Sequence, residues 1–101
     1  MSVEFTQYLR PNGKRRAVRI DLDDDIAERH AQELMLSKGA SFDVEELTTG
    51  EVSLTCEWED SAGWPVTFIE VVPNGPGILE AARLLVERAY YSKDKPRGEE
   101  E

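Results

Sequence analysis

The stretch Ser41-Phe42-Asp43-Val44-Glu45-Glu46-Leu47-Thr48-Thr49-Gly50-Glu51-Val52-Ser53-Leu54-Thr55-Cys56-Glu57-Trp58 decides the fold. Apolar side chains take alternate positions on both sides of Thr48-Thr49-Gly50: Phe42 and Val44 before it, then Val52, Leu54, Cys56 and Trp58. A period of two puts one row of side chains on one face of each strand. A three-residue loop with glycine last suits a bulged hairpin. Pairing Leu47 with Glu51 sets Val44 opposite Leu54 and Phe42 opposite Cys56, so both apolar rows share a face. The opposite face then carries Asp43, Glu45, Glu51 and Glu57. A sheet with one apolar and one charged face needs a covering layer on one side only.

Beyond this hairpin a further strand is expected from Pro65 to Val72. Val66 and Phe68 lie on one parity and Ile69 and Val71 on the other, so a bulge or burial on both faces is expected there. Pro73-Asn74-Gly75-Pro76 ends that strand. Pro76 opens a helix whose stripe is Ile78, Leu79, Ala82, Leu85, Val86, Ala89 and Tyr90, stopping near Ser92.

On the N-terminal side, Asp21, Asp23, Asp24 and Asp25 precede a helix with the stripe Ile26, Ala27, His30, Ala31, Leu34 and Met35, ending near Gly39. Carboxylates at a helix start cap its free N–H groups and oppose its dipole. Before it, Val3, Phe5, Gln7 and Leu9 alternate on one side of Pro11-Asn12-Gly13-Lys14. Arg16, Val18, Ile20 and Leu22 alternate on the other, which predicts another hairpin. Pairing Arg10 with Arg15 opposes Val3 with Leu22, Phe5 with Ile20 and Gln7 with Val18.

The element order is therefore ββαβββα, an α+β two-layer sandwich with both helices on one face of a mainly antiparallel five-stranded sheet. If the first helix returns the chain along the sheet, the third strand runs parallel to the second and antiparallel to the first. The N-terminal hairpin then lies beside the third or the fifth strand. Residues 1–92 form one domain, and 93–101 are expected to be a flexible acidic tail with nothing to bury.

Charge is divided unevenly along the chain. The first twenty residues carry five basic side chains and Glu4, a balance of +4; the other eighty-one carry seven basic and twenty acidic side chains, −13, for the total of −9. The single cysteine, Cys56, permits no internal disulfide, and no apolar run matches a secretory signal or a membrane span. A reduced, cytoplasmic protein without membrane contact is expected.

The chemistry-bearing patterns are few. Asp21-x-Asp23-x-Asp25 opens like a calcium loop, but Ile26 stands where the turn glycine belongs and Gln32 where the bidentate glutamate belongs. Cys56 lies on the apolar side of its strand, where a thiol is packed and inert. His30 lies on or beside a helix stripe. An enzyme would need a cleft gathering His30 with a carboxylate or with Cys56, whereas apolar neighbours around both would remove that reading. No phosphate loop or dinucleotide fingerprint occurs. No metal, cofactor or small-molecule substrate is implied, and no enzyme is inferred.

The basic hairpin and the acidic sheet face remain. Tyr8, Arg10, Arg15 and Arg19 project opposite the core row, with Lys14 at the tip. Such a ribbon can meet phosphates, but a net charge of −9 and a pI near 4.6 disfavour nucleic-acid binding. Three readings compete for Asp43, Glu45, Glu51 and Glu57. They pair across strands with the hairpin arginines; they dock a protein partner or a second copy; or they imitate nucleic-acid phosphates. The reading adopted is a non-enzymatic, acidic protein-interaction module that docks through the sheet face and basic hairpin.

The segments Phe5-Thr6-Gln7-Tyr8-Leu9-Arg10-Pro11-Asn12-Gly13, Glu46-Leu47-Thr48-Thr49-Gly50-Glu51-Val52-Ser53-Leu54-Thr55 and Pro73-Asn74-Gly75-Pro76 together resemble the layout of small bacterial and prophage proteins without assigned function. That resemblance spans most of residues 3–90 and implies a phage-type accessory or inhibitor protein, with no catalytic residue or cofactor. From residue 24 onward the element order is also similar to that of double-stranded-RNA-binding domains. Acidic residues stand where such domains keep lysines.

Overall fold

The computed structural model describes residues 3–9 and 14–93, the side chains of Tyr8 and Leu9 excepted. Its elements are β1 (Val3–Leu9), β2 (Lys14–Ile20), α1 (Asp25–Lys38), β3 (Ser41–Glu46), β4 (Glu51–Glu59), β5 (Pro65–Pro73) and α2 (Gly77–Ser92). This is the ββαβββα order read from the alternation and helix stripes, and the fold is α+β. The strands form one sheet in the order β2-β1-β3-β4-β5.

The sheet is mixed, which corrects the mainly antiparallel arrangement expected. β1 runs parallel to β3, at Thr6–Asp43 and Gln7–Val44, while the β1–β2, β3–β4 and β4–β5 pairs are antiparallel. The cause lies in α1. Ile20, at the end of β2, pairs with Val3 at the start of β1, and β3 also enters beside the start of β1. Both ends of α1 therefore serve the same end of the sheet. The helix does not carry the chain back along the strands, so β3 runs opposite to β2 and parallel to β1.

Local chemistry explains where α1 starts and stops. Asp24 is its N-cap, with Oδ1 accepting from Ile26 N at 3.0 Å and Ala27 N at 3.2 Å. The buried Glu28 reaches back, its Oε2 accepting from Leu22 N at 3.2 Å. Gly39 closes the helix at φ +67, a left-handed position that glycine adopts without a Cβ penalty. Ile26, expected on the buried stripe, is instead 57% exposed. The inward face is carried by Ala27, Ala31 and Leu34.

The β3–β4 register is the one read from the sequence: Phe42 faces Cys56, Val44 faces Leu54, and Leu47 N donates to Glu51 O at 2.8 Å. The N-terminal hairpin differs by two residues. Val3 pairs with Ile20, Phe5 with Val18, Gln7 with Arg16 and Leu9 with Lys14, not Arg10 with Arg15. A slip of two preserves parity, so the same side chains still face the core. The Pro11-Asn12-Gly13 turn and Arg10 lie outside the described residues.

Neither a bulge nor two-sided burial occurs in β5. Its ladder to β4 is continuous from Val72–Val52 to Val66–Trp58, and Ile69 and Val71 point outward, 51% and 47% exposed. Val66, Phe68 and Val72 pack against the core. That core lies between sheet and helices, where Phe5, Leu22, Leu34, Leu54, Leu85 and Val86 are fully buried. The alanines at 27, 31, 81, 82 and 89, all buried, let α1 and α2 approach the sheet closely. Lys93, assigned above to the tail, closes the described fold, its Nζ 3.7 Å from Glu33 Oε2 and 4.8 Å from the centre of the Tyr90 ring.

Candidate protein-docking face

Because the buried rows of β1, β3 and β4 all face the helices, the alternate side chains form an outer sheet face. One continuous cross-strand row on it runs Ala17, Thr6, Asp43, Thr55, Ile69. Arg15 and Arg19 flank Ala17 on β2, Glu45 follows Asp43 on β3, and Glu51 and Glu57 flank the β4 portion. The face thus passes from a cationic edge through β1 to carboxylates on β3 and β4, then to the exposed Ile69 and Val71 of β5.

Strand order settles how the two signs relate. β1 separates the β2 cations from the β3 carboxylates by two strand spacings, roughly 9–10 Å. That distance is close to the screening length at physiological salt, about 8 Å. The halves influence one another across β1 without being adjacent. Asp43 shows the balance: burial pushes its carboxyl above the ordinary range, the nearby Glu57 charge pushes it further, and Arg15 pulls it down. Neutralising Glu57 as Glu57→Gln should lower the Asp43 pKa, while Arg15→Gln should raise it. Carbon-detected NMR titration of the Asp43 carboxyl reads both shifts, and movement in the same direction would contradict this geometry.

The other named residues take different places. Glu51 Oε1 accepts from the Thr49 hydroxyl at 3.1 Å. Lys14 opens β2 opposite Leu9, on the parity of Arg16 and not of Arg15 and Arg19. The Tyr8 side chain and Arg10 lie outside the described residues. Ile69 and Val71 were missed as surface groups. The sequence signal was Asp60-Ser61-Ala62-Gly63: Asp60 Oδ1 accepts from Ala62 N and Trp64 N, both at 2.9 Å, and Gly63 has φ +84. Reading those residues as the turn fixes Glu59 opposite Pro65 and sends Ile69 and Val71 outward.

A second polar cluster joins the helices. His30 Nδ1 lies 3.0 Å from Glu87 Oε2, and its ring stacks on Tyr90 at 3.7 Å and 10° and meets the edge of Tyr91 at 5.7 Å. The Tyr90 hydroxyl donates to Glu33 Oε1 at 3.3 Å. His30 does therefore meet a carboxylate, whereas Cys56 is buried on β4 and takes no part. The arrangement ties α1 to α2 through the His30–Glu87 hydrogen-bond contact and stacked rings. Arg88, further along α2, binds Glu70 of β5 and so ties that helix to the sheet.

Two open concavities lie elsewhere among the described residues. One of about 550 Å³ opens between Lys38, Ser41, Glu57 and Asp60. Another, of about 350 Å³, is ringed by Asp21, Asp23, Asp24 and Asp25, where the Asp24 carboxylate is engaged in capping and Asp21 Oδ1 accepts from Asp23 N. Among the described residues no group of three or more His, Cys, Asp or Glu is arranged to hold a metal ion, and no helix is long and apolar enough to cross a membrane. No family model, curated protein or solved structure matches the chain.

Proposed function

We propose that this chain is a non-enzymatic protein-interaction module of the cytoplasm, docking a protein partner through its outer sheet face and basic hairpin. The observation that carries this is the exposed two-signed face. Both helices cover the opposite side, while Arg15, Arg19, Asp43, Glu45, Glu51 and Glu57 share the uncovered one with Ile69 and Val71. An interface combines apolar contact area with charges arranged to select register. Here the apolar groups sit at one side and opposite signs are spread across the rest, which favours a partner with the reversed layout. A phage-type accessory or inhibitor role fits such a small acidic module.

The test compares proteins retained from a host lysate by the wild-type chain with those retained by Arg15→Glu/Arg19→Glu, by Glu45→Lys/Glu57→Lys and by the helix-side control Arg83→Glu. A partner held by wild type and control but lost by both face variants, and eluted by salt, supports docking through this face. Equal retention by all four proteins overturns it. Light scattering of the wild type at low and high salt distinguishes a second copy from a foreign partner.

A further inference from the structure

We propose that β2 is a strand-addition site, at which an extended acidic segment of a partner protein joins the sheet as a sixth strand. This rests on the docking function above and names the partner's chemistry. β2 ends the sheet and, among the described residues, pairs only with β1. Alternate backbone N–H and C=O groups of such a strand point away from the sheet. Lys14–Ile20 is seven residues without proline or interruption in its ladder. The opposite edge, β5, is bracketed by Pro65 and Pro73, which have no N–H to donate.

Charge decides the occupant. Four of the seven β2 residues, Lys14, Arg15, Arg16 and Arg19, are cationic in a chain of net charge −9. Like charges placed opposite one another destabilise a strand pair, so this edge rejects a copy of itself. A carboxylate-bearing strand meets the opposite condition. Lys14 and Arg15 already interact within the fold. Arg16 and Arg19 are both exposed, although Arg16 Nε donates to Gln7 Oε1 at 2.9 Å.

The inner neighbour shows the pattern that β2 accepts. On β1, Val3, Glu4, Phe5 and Thr6 stand opposite Ile20, Arg19, Val18 and Ala17. Val18 and Ile20 are only half-buried, so apolar residues on an added strand would extend their row. An antiparallel occupant therefore reads apolar, acidic, apolar, small or β-branched, then acidic at its last positions. Backbone bonds supply affinity in this mode and alternate side chains supply specificity.

The probe is the capped peptide Val-Glu-Val-Thr-Glu-Glu-Glu, titrated onto the full chain by fluorescence anisotropy with amide hydrogen exchange followed by NMR. Binding should slow exchange of outward-pointing β2 amides by about tenfold or more at saturation, and Arg16→Glu/Arg19→Glu should weaken it by about tenfold. Two peptide sets N-methylated at alternate residues leave the protein untouched; only the set blocking the β2-facing edge should abolish binding. Absence of binding at millimolar peptide, equal binding of both N-methylated sets, or unchanged β2 exchange overturns strand addition. If the outer-face variants still lose the lysate partner while the peptide fails, strand addition falls and the docking function stands. In that case Arg15 and Arg19 serve the outer face, and the β2 cations keep the edge itself from pairing.

Discussion

Replacing Phe5 with alanine should cost about 3–5 kcal/mol of folding stability, at the upper end of what a core truncation costs. Phe5 is fully buried, its ring centre 5.3 Å from that of Phe42. That contact spans the parallel joint between β1 and β3, where ladder pairing among the described residues comprises Thr6–Asp43 and Gln7–Val44. The β1–β2 ladder, by contrast, runs the length of both strands. The N-terminal hairpin is thus well paired within itself and briefly paired to the rest of the sheet. Side-chain burial around Phe5 and Val3 has to hold it there.

A domain of this size has about 5–15 kcal/mol in total, so Phe5→Ala should leave it marginal and lower its Tm by roughly 15–30 °C. Val18→Ala, at the half-buried position facing Phe5, should cost well under half as much. Urea unfolding with unchanged m-value measures both. A cost below about 1 kcal/mol for Phe5→Ala would mean that the hairpin is held by something other than this contact.

What could be read from the sequence follows from where periodicity speaks and where it is silent. The β3–β4 register was legible because a short loop and two alternating rows admit one solution; Phe42–Cys56 and Val44–Leu54 follow directly. The N-terminal hairpin was legible in its faces but not in its pairs. Its turn residues, none of which belongs to an apolar row, allow a slip of two, which leaves every side chain on the same face. The β1–β3 parallel pairing was not legible, because it depends on the direction in which α1 leaves the sheet, and a helix stripe records which side is buried but not where the axis points. Nor was the choice of edge legible: the hairpin could lie beside β3 or β5, and the observed order sets β1 against β3, between the β2 cations and the β3 carboxylates. His30 was legible as a rim residue of α1. Its partner Glu87 lies 57 residues away, beyond the reach of any local pattern.

Cys56 should react with thiol reagents at least about a thousandfold more slowly in the native protein than in urea. Burial, aided by the Asp43 charge, pushes its thiol up to about 12 from an ordinary 9.0, and the residue is fully buried. At pH 8 a thiol of pKa near 9 is about one-tenth ionised, and one near 12 about one part in ten thousand, so ionisation alone supplies that factor. Labelling then proceeds through opening of the sheet and follows the population of the open form when reclosing is fast. Phe5→Ala, by raising that population, should accelerate native labelling by about a hundredfold or more. The same shift fixes a pH dependence. Below about pH 9 the thiol is neutral in both states and its contribution to stability is complete. Between about 9 and 12 the unfolded chain releases the proton that the folded chain retains, so stability falls with rising pH, by up to about 1.4 kcal/mol per unit. Denaturation series on wild type and Cys56→Val isolate this term, since the variant lacks it. Native labelling within tenfold of the rate in urea, or identical alkaline profiles for the two proteins, would show that the thiol is neither sealed nor held neutral by the sheet.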